Sequence, residues 1–587
     1  MQPVDFTTLM AVCAELRSDW LPARFEQVYQ RDRFTLALGL RTFDRRGWLT
    51  ISWHPQAARL GIGDAPPRIP DTFTFSQQLR HQLSGLALVA IEPIAAWERV
   101  VDLQFAQRPG EAALWHLYVE IMGNYSNVIL TTQENAIVTA AHQVSNQQSS
   151  VRPIQTGQPY EAPSNLTNAV PTLEESIDRW QERISLIPGP LKRNLLKTYR
   201  GISSSLVASM IQAAGLEADR SSESLSSTEW QTLFDRWQEW LRTLQQEKFQ
   251  PGWLPQGYTV MGWGSVQTEP RIQPILNRYY TDQLNQQEFT QLRHQISQKL
   301  TNLLKKLRQK AGEFRSRLQQ SDQADRYREQ ADLLMAYLHE WQPGMSEITL
   351  PDFVSSKPVK IQLEPEKNAV QNAQAFYKRH QKLKRSRSAI EPLLAEVQAE
   401  IDYLQQVEVG ITQFDRYETP SDLTSLTEIR DELIQQGYLE DPDQRYRNAT
   451  QTETPFLRYQ TPSGFEVLIG RNNRQNDQLT FRMAGDYDLW FHTQEIPGSH
   501  VLLRLDPGAA AEEADLQFTA DLAAYYSRAR QSDQAPVIYT EPKQVFKPKG
   551  AKPGIAIYKQ ERVLWGEPQR GKTYSEKTDS DRAKDEE

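Results

Sequence analysis

Asp488, His492 and His500 are the residues in this 587-residue chain whose types first suggest chemistry. Two imidazoles and a carboxylate form a donor set for a divalent metal or a hydrolytic centre. The histidines, however, stand eight positions apart across Pro497-Gly498, which is not a ligand-pair spacing, and no third strong ligand accompanies them. A second reading is a β-turn in which Gly498, Ser499 and His500 offer donors to a phosphate or a base, beside exposed Arg471, Asn472, Asn473 and Arg474. A third is a structural histidine pair bonded to backbone. No G-x-x-x-x-G-K-[ST] loop, strand-led G-x-G-x-x-G, G-x-S-x-G or H-E-x-x-H is present. The expectation is therefore a protein with no self-sufficient catalytic centre, no metal and no cofactor.

Charge makes a second constellation. The chain carries 66 Lys and Arg against 74 Asp and Glu, a net charge of -8, so global attraction to nucleic acid is not expected. Read by position, Arg293, Lys299, Lys305, Lys306, Arg308, Lys310, Arg315 and Arg317 enclose one acidic residue, Glu313; Lys378, Arg379, Lys382, Lys384, Arg385 and Arg387 enclose none. The bland reading is the solvated face of a helix. Such faces normally mix both signs, so one-sided charge favours an RNA backbone as partner.

Both constellations need elements to hold them. Leu300, Leu304, Leu307, Ala311, Phe314 and Leu318 recur at spacings of four and three, and Ile390, Leu394, Val397, Ile401 and Leu404 repeat the pattern. Between them lie Pro343-Gly344 and strand-like segments at 346–350 and 359–363. This predicts an antiparallel coiled-coil hairpin with a small β tip, its first helix over about 285–340 and about 80 Å long. Pro392 either kinks the second helix or marks its start. Before this arm, residues 1–169 read as an α+β domain, with strands such as 34–40 and 117–122, helices near 8–18 and 75–84, and a polar closing loop at 143–165. Residues 170–280 read as helical plus a connection, with a helix-hairpin-helix candidate at 191–215. The arm occupies 281–440, with a linker near 410–450. A second α+β domain follows at 441–565, and 566–587 is polar enough to predict a disordered tail.

One cysteine, Cys13, excludes an internal disulfide framework and a Cys-ligated zinc. With no signal-peptide pattern and no long apolar run, the expected location is the cytoplasm.

Three segments then point to a family. Leu117-Tyr-Val-Glu-Ile-Met-Gly-Asn-Tyr-Ser-Asn-Val-Ile-Leu130, Asn372-Ala-Gln-Ala-Phe-Tyr-Lys-Arg-His-Gln-Lys-Leu-Lys384 and Asp488-Leu-Trp-Phe-His-Thr-Gln-Glu-Ile-Pro-Gly-Ser-His500 resemble the NFACT family, in its domain order, over residues 1 to about 560. The resemblance implies NFACT-N, helix-hairpin-helix, coiled-coil and NFACT-R domains. It further implies binding to a large ribosomal subunit obstructed by peptidyl-tRNA, and recruitment of tRNA, mainly alanyl-tRNA, for C-terminal tailing of the stalled nascent chain. The ribosome would make the peptide bond and the protein would supply positioning. Carried over residue by residue, the family's Asp-Arg pair falls on Glu98 and Arg99, where the longer carboxylate puts the choice of tRNA in question. Glu120, Ile121 and Met122 carry over as tRNA contacts, with a core-facing strand as the alternative. Two other classes compete. Relatives labelled fibronectin-binding suggest a surface adhesin, against which stand the missing export and anchor patterns. The domain layout also resembles formamidopyrimidine-type DNA glycosylases, but Gln2 precedes Pro3, Val4 follows it, and the cysteines of a zinc finger are missing.

Overall fold

A computed structural model describes residues 1–66, 71–149, 152–163, 168–440 and 455–585, those from 577 onward by backbone alone, and divides the chain into two units, Met1–Leu284 and Asn285–Glu587.

The first unit starts with α1 (Phe6–Trp20), capped by the Asp5 carboxylate, which accepts the Thr8 N–H at 2.8 Å. Nine strands follow: β1 (Ala23–Gln30), β2 (Thr35–Arg41), β3 (Arg46–Ser52), β4 (Arg59–Gly63), β5 (Ala87–Pro93), β6 (Val100–Ala106), β7 (Trp115–Glu120), β8 (Asn127–Thr132) and β9 (Ile137–Ala140), with α2 (Thr74–Leu83) between β4 and β5. They form one antiparallel sheet in the order β4-β3-β2-β1-β5-β6-β7-β8-β9. Alternation decides its faces: Leu36, Leu38 and Leu40 of β2, Leu103 and Phe105 of β6 and Leu117 and Val119 of β7 are buried with Leu9, Val12 and Cys13 of α1. Burial pushes the Cys13 thiol up to about 12, so it behaves as a small core hydrophobe.

Four helices come next: α3 (Ile177–Ser185), α4 (Leu191–Thr198), α5 (Ser204–Ala213) and α6 (Ser227–Gln246), closing on Trp180, Trp230, Trp237 and Trp240. The chain then returns to strands, β10 (Gly252–Leu254), β11 (Gly257–Thr259) and β12 (Gln267–Thr268), in a three-stranded sheet. Helix α7 (Ile272–Ser321) begins well before the expected residue 285. The Glu15 carboxylate accepts the N–H of Ile272 at 2.6 Å, and Pro274 sits in the first turn, where its missing donor costs nothing. Ile272, Ile275, Leu276 and Tyr280 belong to the core of the first unit.

In the second unit the rest of α7 leads to α8 (Ala324–Ala336), the hairpin β13 (Glu347–Pro351) with β14 (Pro358–Gln362), α9 (Ala369–Thr412) and α10 (Pro420–Gln435). The long helices run antiparallel, because Arg315 donates to Gln398 at 2.7 Å while Arg387, earlier in α9, reaches Asp322 at 2.9 Å. The expected seam is the core: Leu300, Leu304 and Ala311 are buried with Val397, Ile401 and Leu404. Two expectations need correction. The first long helix breaks after Ser321 and resumes as α8. Of the two readings of Pro392, the one inside the helix holds: it lies within α9, whose start is the Asn368 cap, and does not mark the start. The linker at 410–450 contains α10, whose Leu426, Ile429 and Leu433 complete the seam core; residues 441–454 lie outside the described residues.

The last elements are β15 (Leu457–Gln460), β16 (Glu466–Ile469), α11 (Asn473–Gln478), β17 (Leu489–Thr493), β18 (Val501–Leu503), α12 (Glu513–Tyr525), β19 (Ala535–Thr540), the two-stranded β20 (Val545–Phe546) and β21 (Ile557–Tyr558), β22 (Arg562–Gly566) and α13 (Pro568–Asp585). Six form an antiparallel sheet, β15-β16-β18-β17-β19-β22. Helix α13 overturns the disordered tail for its described part. Tyr574 stacks on Phe518 at 4.4 Å, and a Cβ at Gly566 or Gly571 would fall 2.4 Å from the carbonyl oxygen of Ala520 or Asp521. Glycine lets α13 and α12 meet backbone to backbone with few apolar side chains, which is why composition hid it. Residues 586–587 of the expected tail lie outside the described residues.

Candidate nucleic-acid interfaces

The histidine constellation is structural. His500 is 1% exposed, its Nδ1 lying 2.6 Å from Thr480 Oγ1 and 3.2 Å from the Asn476 carbonyl. His492 Nε2 lies 3.3 Å from the Gly498 carbonyl. Trp490 covers both rings, at 5.7 and 5.1 Å, and donates to Thr480 Oγ1 at 2.9 Å. Removal from water lowers His492 to about 4 and His500 to about 3, so both are neutral near pH 7. Asp488 faces elsewhere, accepting the N–H groups of Gly485 and Leu505 and pairing with Arg504 at 3.3 Å. Among the described residues no group of three His, Cys, Asp or Glu side chains is arranged to hold a metal ion.

The donors expected to meet RNA at this turn already have partners. Gly498 donates to Gln406 Oε1 at 3.1 Å; Ser499 Oγ donates to the Gly470 carbonyl and accepts from Gln413, both at 2.7 Å. Arg471 pairs with Asp422 at 3.5 Å, Asn472 donates to Glu428 at 2.6 Å, Asn473 to Glu432 at 3.1 Å and Arg474 to Gln435 at 2.8 Å. Of the expected RNA site, Arg471, Arg474, Asp488, His492, Ser499 and His500 each have a partner within the protein. Arg471, Arg474 and Ser499 tie the C-terminal domain to α10 and the end of α9, while Asp488, His492 and His500 bond within it.

Glu98 and Arg99 present a different picture. They end the loop between β5 and β6, which Trp97 anchors in a left-handed conformation (φ 70°), its ring 5.1 Å from Phe6 and 5.4 Å from Trp240. Gly201, between α4 and α5, must be glycine, since a Cβ would sit 2.7 Å from that ring. Arg99 is half-buried and, among the described residues, its side chain reaches the Val4 carbonyl alone, at 3.4 Å. Burial lowers its pKa and raises that of Glu98, partly offset by neighbouring opposite charges, among them Asp5 for Arg99 and Arg200 for Glu98. Asp5 also accepts the Ser203 hydroxyl at the start of α5 at 2.5 Å. The sheet, α1 and the α4–α5 turn therefore converge on one acid–base loop with unfilled hydrogen-bonding capacity.

Glu120 and Ile121 do not share it. Glu120 is 1% exposed, held by both terminal nitrogens of Arg152 and by Tyr160 at 2.9 Å, and Ile121 is 2% exposed in the core. For these two the burial favours the core-facing alternative over direct tRNA contact; Met122 is partly buried and donates its N–H to Ser126. Truncating Arg152 to alanine leaves a buried carboxylate unpaired, and the expected loss is about 3–5 kcal/mol, read as a lower denaturant midpoint for the first unit.

The arm residues Lys305, Lys306, Arg308, Lys378, Arg379, Lys382, Lys384 and Arg385 are all exposed. Among the described residues none of them forms an ion pair; Arg379 lies 4.7 Å from the Tyr327 ring, while nearby Arg387 pairs with Asp322 and Glu391. One further basic segment escaped sequence reasoning. Residues 542–560 hold Lys543, Lys547, Lys549, Lys552 and Lys559 with no acidic residue. A charge count in short windows would have found it.

Comparison with known proteins agrees with this layout. Residues 5–452 match the NFACT N-terminal and middle domains, and residues 455–559 the NFACT protein RNA binding domain. "Rqc2 homolog RqcH" of Streptococcus suis (strain 05ZYH33) is 29% identical over 579 residues, covering 96% of this chain and 98% of that one. The protein of the same name from Bacillus subtilis (strain 168) is 28% identical over 573 residues, covering 94% and 96%. The solved C-terminal part of the fibronectin/fibrinogen-binding protein from Streptococcus suis is 31% identical, covering 48% of this chain and 95% of that one, with a TM-score of 0.36. With both domain matches in order along nearly its whole length, the chain belongs to the NFACT family.

Proposed function

We propose that this NFACT protein is a ribosome-associated quality-control factor. It binds a large ribosomal subunit obstructed by peptidyl-tRNA and recruits tRNA, mainly alanyl-tRNA, for template-independent C-terminal tailing of the stalled nascent chain. The ribosome forms the peptide bond; this chain holds the reactants. The observation that carries the reading is the single-sign basic stripe on the antiparallel helices, exposed and, among the described residues, without ion pairs at Lys305, Lys306 and Arg308, in a chain similar over nearly its full length to proteins named RqcH. In this reading α7 and α9 are a coiled-coil arm whose Lys and Arg neutralise rRNA phosphates. The α4–α5 pair is a helix-hairpin-helix unit that presents its turn to RNA, and Glu98 with Arg99 grips tRNA. No helix among the described residues is long and apolar enough to cross a membrane.

Reversing Lys305, Lys306 and Arg308 to glutamate tests the arm. Co-sedimentation with large subunits is expected to weaken at least tenfold, and the slope of log affinity against log salt to fall by about 2–3. Unchanged sedimentation and slope would make these residues a solvated helix face.

A further inference from the structure

The domain that matches an RNA-binding family spends its most recognisable polar motif on internal packing, which leaves open where it meets RNA. This inference rests on the RNA-binding reading above. We propose that the β20–β21 hairpin and its loop form the RNA-contacting face of the C-terminal domain, with Phe546 stacking on an unpaired base and Lys549 and Lys559 on flanking phosphates.

The hairpin has two unlike faces. Val545 is buried in a small core with Trp490 and Ile538, and its cross-strand partner Tyr558 packs there too. The opposite face carries Phe546 and its partner Ile557, 42% and 51% exposed. Lys559 stands over the Phe546 ring at 5.7 Å. An exposed apolar pair with a lysine over its ring, in a lysine-bearing segment with no acidic residue from 542 to 560, suits single-stranded nucleic acid, whose bases offer π-faces and whose backbone is anionic.

The five lysines do not act alike. Lys552 is withdrawn between the rings of Tyr403 and Tyr438, at 4.7 and 4.4 Å, and burial lowers its pKa. Lys547 pairs with Asp477, and Lys543 with Glu541 at 2.5 Å. These three shape the loop. Lys549 and Lys559 are exposed and form no ion pair among the described residues, so they keep their charge for a partner. Gly550, at φ 78°, turns the loop between them, and Gly554 at φ 76° lies against Asn473, anchoring the loop to α11.

The test uses the full chain and a single-stranded oligouridine carrying 4-thiouridine. In wild type, ultraviolet adducts are expected on the peptide spanning 543–559. K549E/K559E should weaken binding at least tenfold and lower the salt slope by about 1.4, whereas F546A should weaken it about five- to tenfold with the slope unchanged. Adducts that map only elsewhere, with wild-type binding by K549E/K559E, overturn the hairpin assignment and leave the RNA reading standing. So does a chain that co-sediments with large subunits yet gives no adduct with the oligonucleotide. A chain that binds neither overturns both.

Discussion

Replacing Glu98 and Arg99 together with alanine is expected to reduce tRNA association by at least a hundredfold while large-subunit co-sedimentation stays near wild type. The magnitude follows from the state of the two side chains. The Glu98 carboxylate forms no hydrogen bond or ion pair among the described residues, and Arg99 spends one donor on the Val4 carbonyl at a long 3.4 Å. Hydrogen bonds to charged groups contribute about 1.5–3 kcal/mol each, so losing two or more of them amounts to a factor of roughly a hundred to ten thousand. The loop would keep its shape without them, because Trp97 is fixed by Phe6, Trp240 and the glycine at 201. Thermal unfolding of the first unit should therefore move little, which separates lost recognition from lost folding. Glu98→Asp adds a finer reading: it restores the family's shorter carboxylate, and any change in the spectrum of tRNAs recovered reports the methylene that this chain carries in addition. Recovery of tRNA by the double variant equal to wild type would sink the assignment.

What could be read from the chain depended on whether a pattern is repeated or unique. The seam residues Leu300, Leu304, Val397 and Ile401 announce themselves because burial of a helix pair imposes a period on many positions at once. Strands β2 and β7 are legible for the same reason. The basic run was legible because charge of a single sign, concentrated in one stretch of chain, shows in a local count. The turn at His500 was not. Its polar residues look alike whether they face solvent or Gln406 and Gln413, some ninety positions earlier, and no local rule distinguishes the two. Glu120 misled in the same way, since the Arg152 that buries it lies across a loop. Helix α13 was hidden for a different reason: it docks through Gly571, and β22 just before it through Gly566, and glycines register in composition as absence of a core. Regular elements are thus readable from one sequence, while the partners of single polar side chains require the fold.

Acidification is expected to loosen the C-terminal sheet well before the N-terminal one. His492 and His500 hold folded values of about 4 and about 3 against an ordinary 6.5, because His500 is buried, His492 is partly buried, and both pack on Trp490. Below pH 6.5 the unfolded chain binds protons that the folded chain refuses. Stability is therefore complete above pH 6.5 and falls as pH drops towards 4, by about 1.4 kcal/mol per pH unit for each imidazole. Lys547 adds a repulsive charge near His500 that acts in the same direction. Glu432, whose carboxyl burial raises, acts oppositely: the folded chain keeps its proton where the unfolded chain has lost it, so acid relieves a cost there. Asp521 on α12, also raised by burial, acts with Glu432, so the net slope is the imidazole contribution less that of these two carboxyls. Hydrogen exchange, corrected for its intrinsic pH dependence, should show protection of β17 and β18 falling between pH 6.5 and 4.5 while β6 and β7 change less. Replacing both histidines with asparagine lowers stability at pH 7 but should flatten the slope, since nothing titratable remains at those positions. Parallel loss of protection in the two sheets, or an unchanged slope in the double variant, would mean that the imidazoles are protonated inside the fold and that their burial is not what keeps the C-terminal sheet closed.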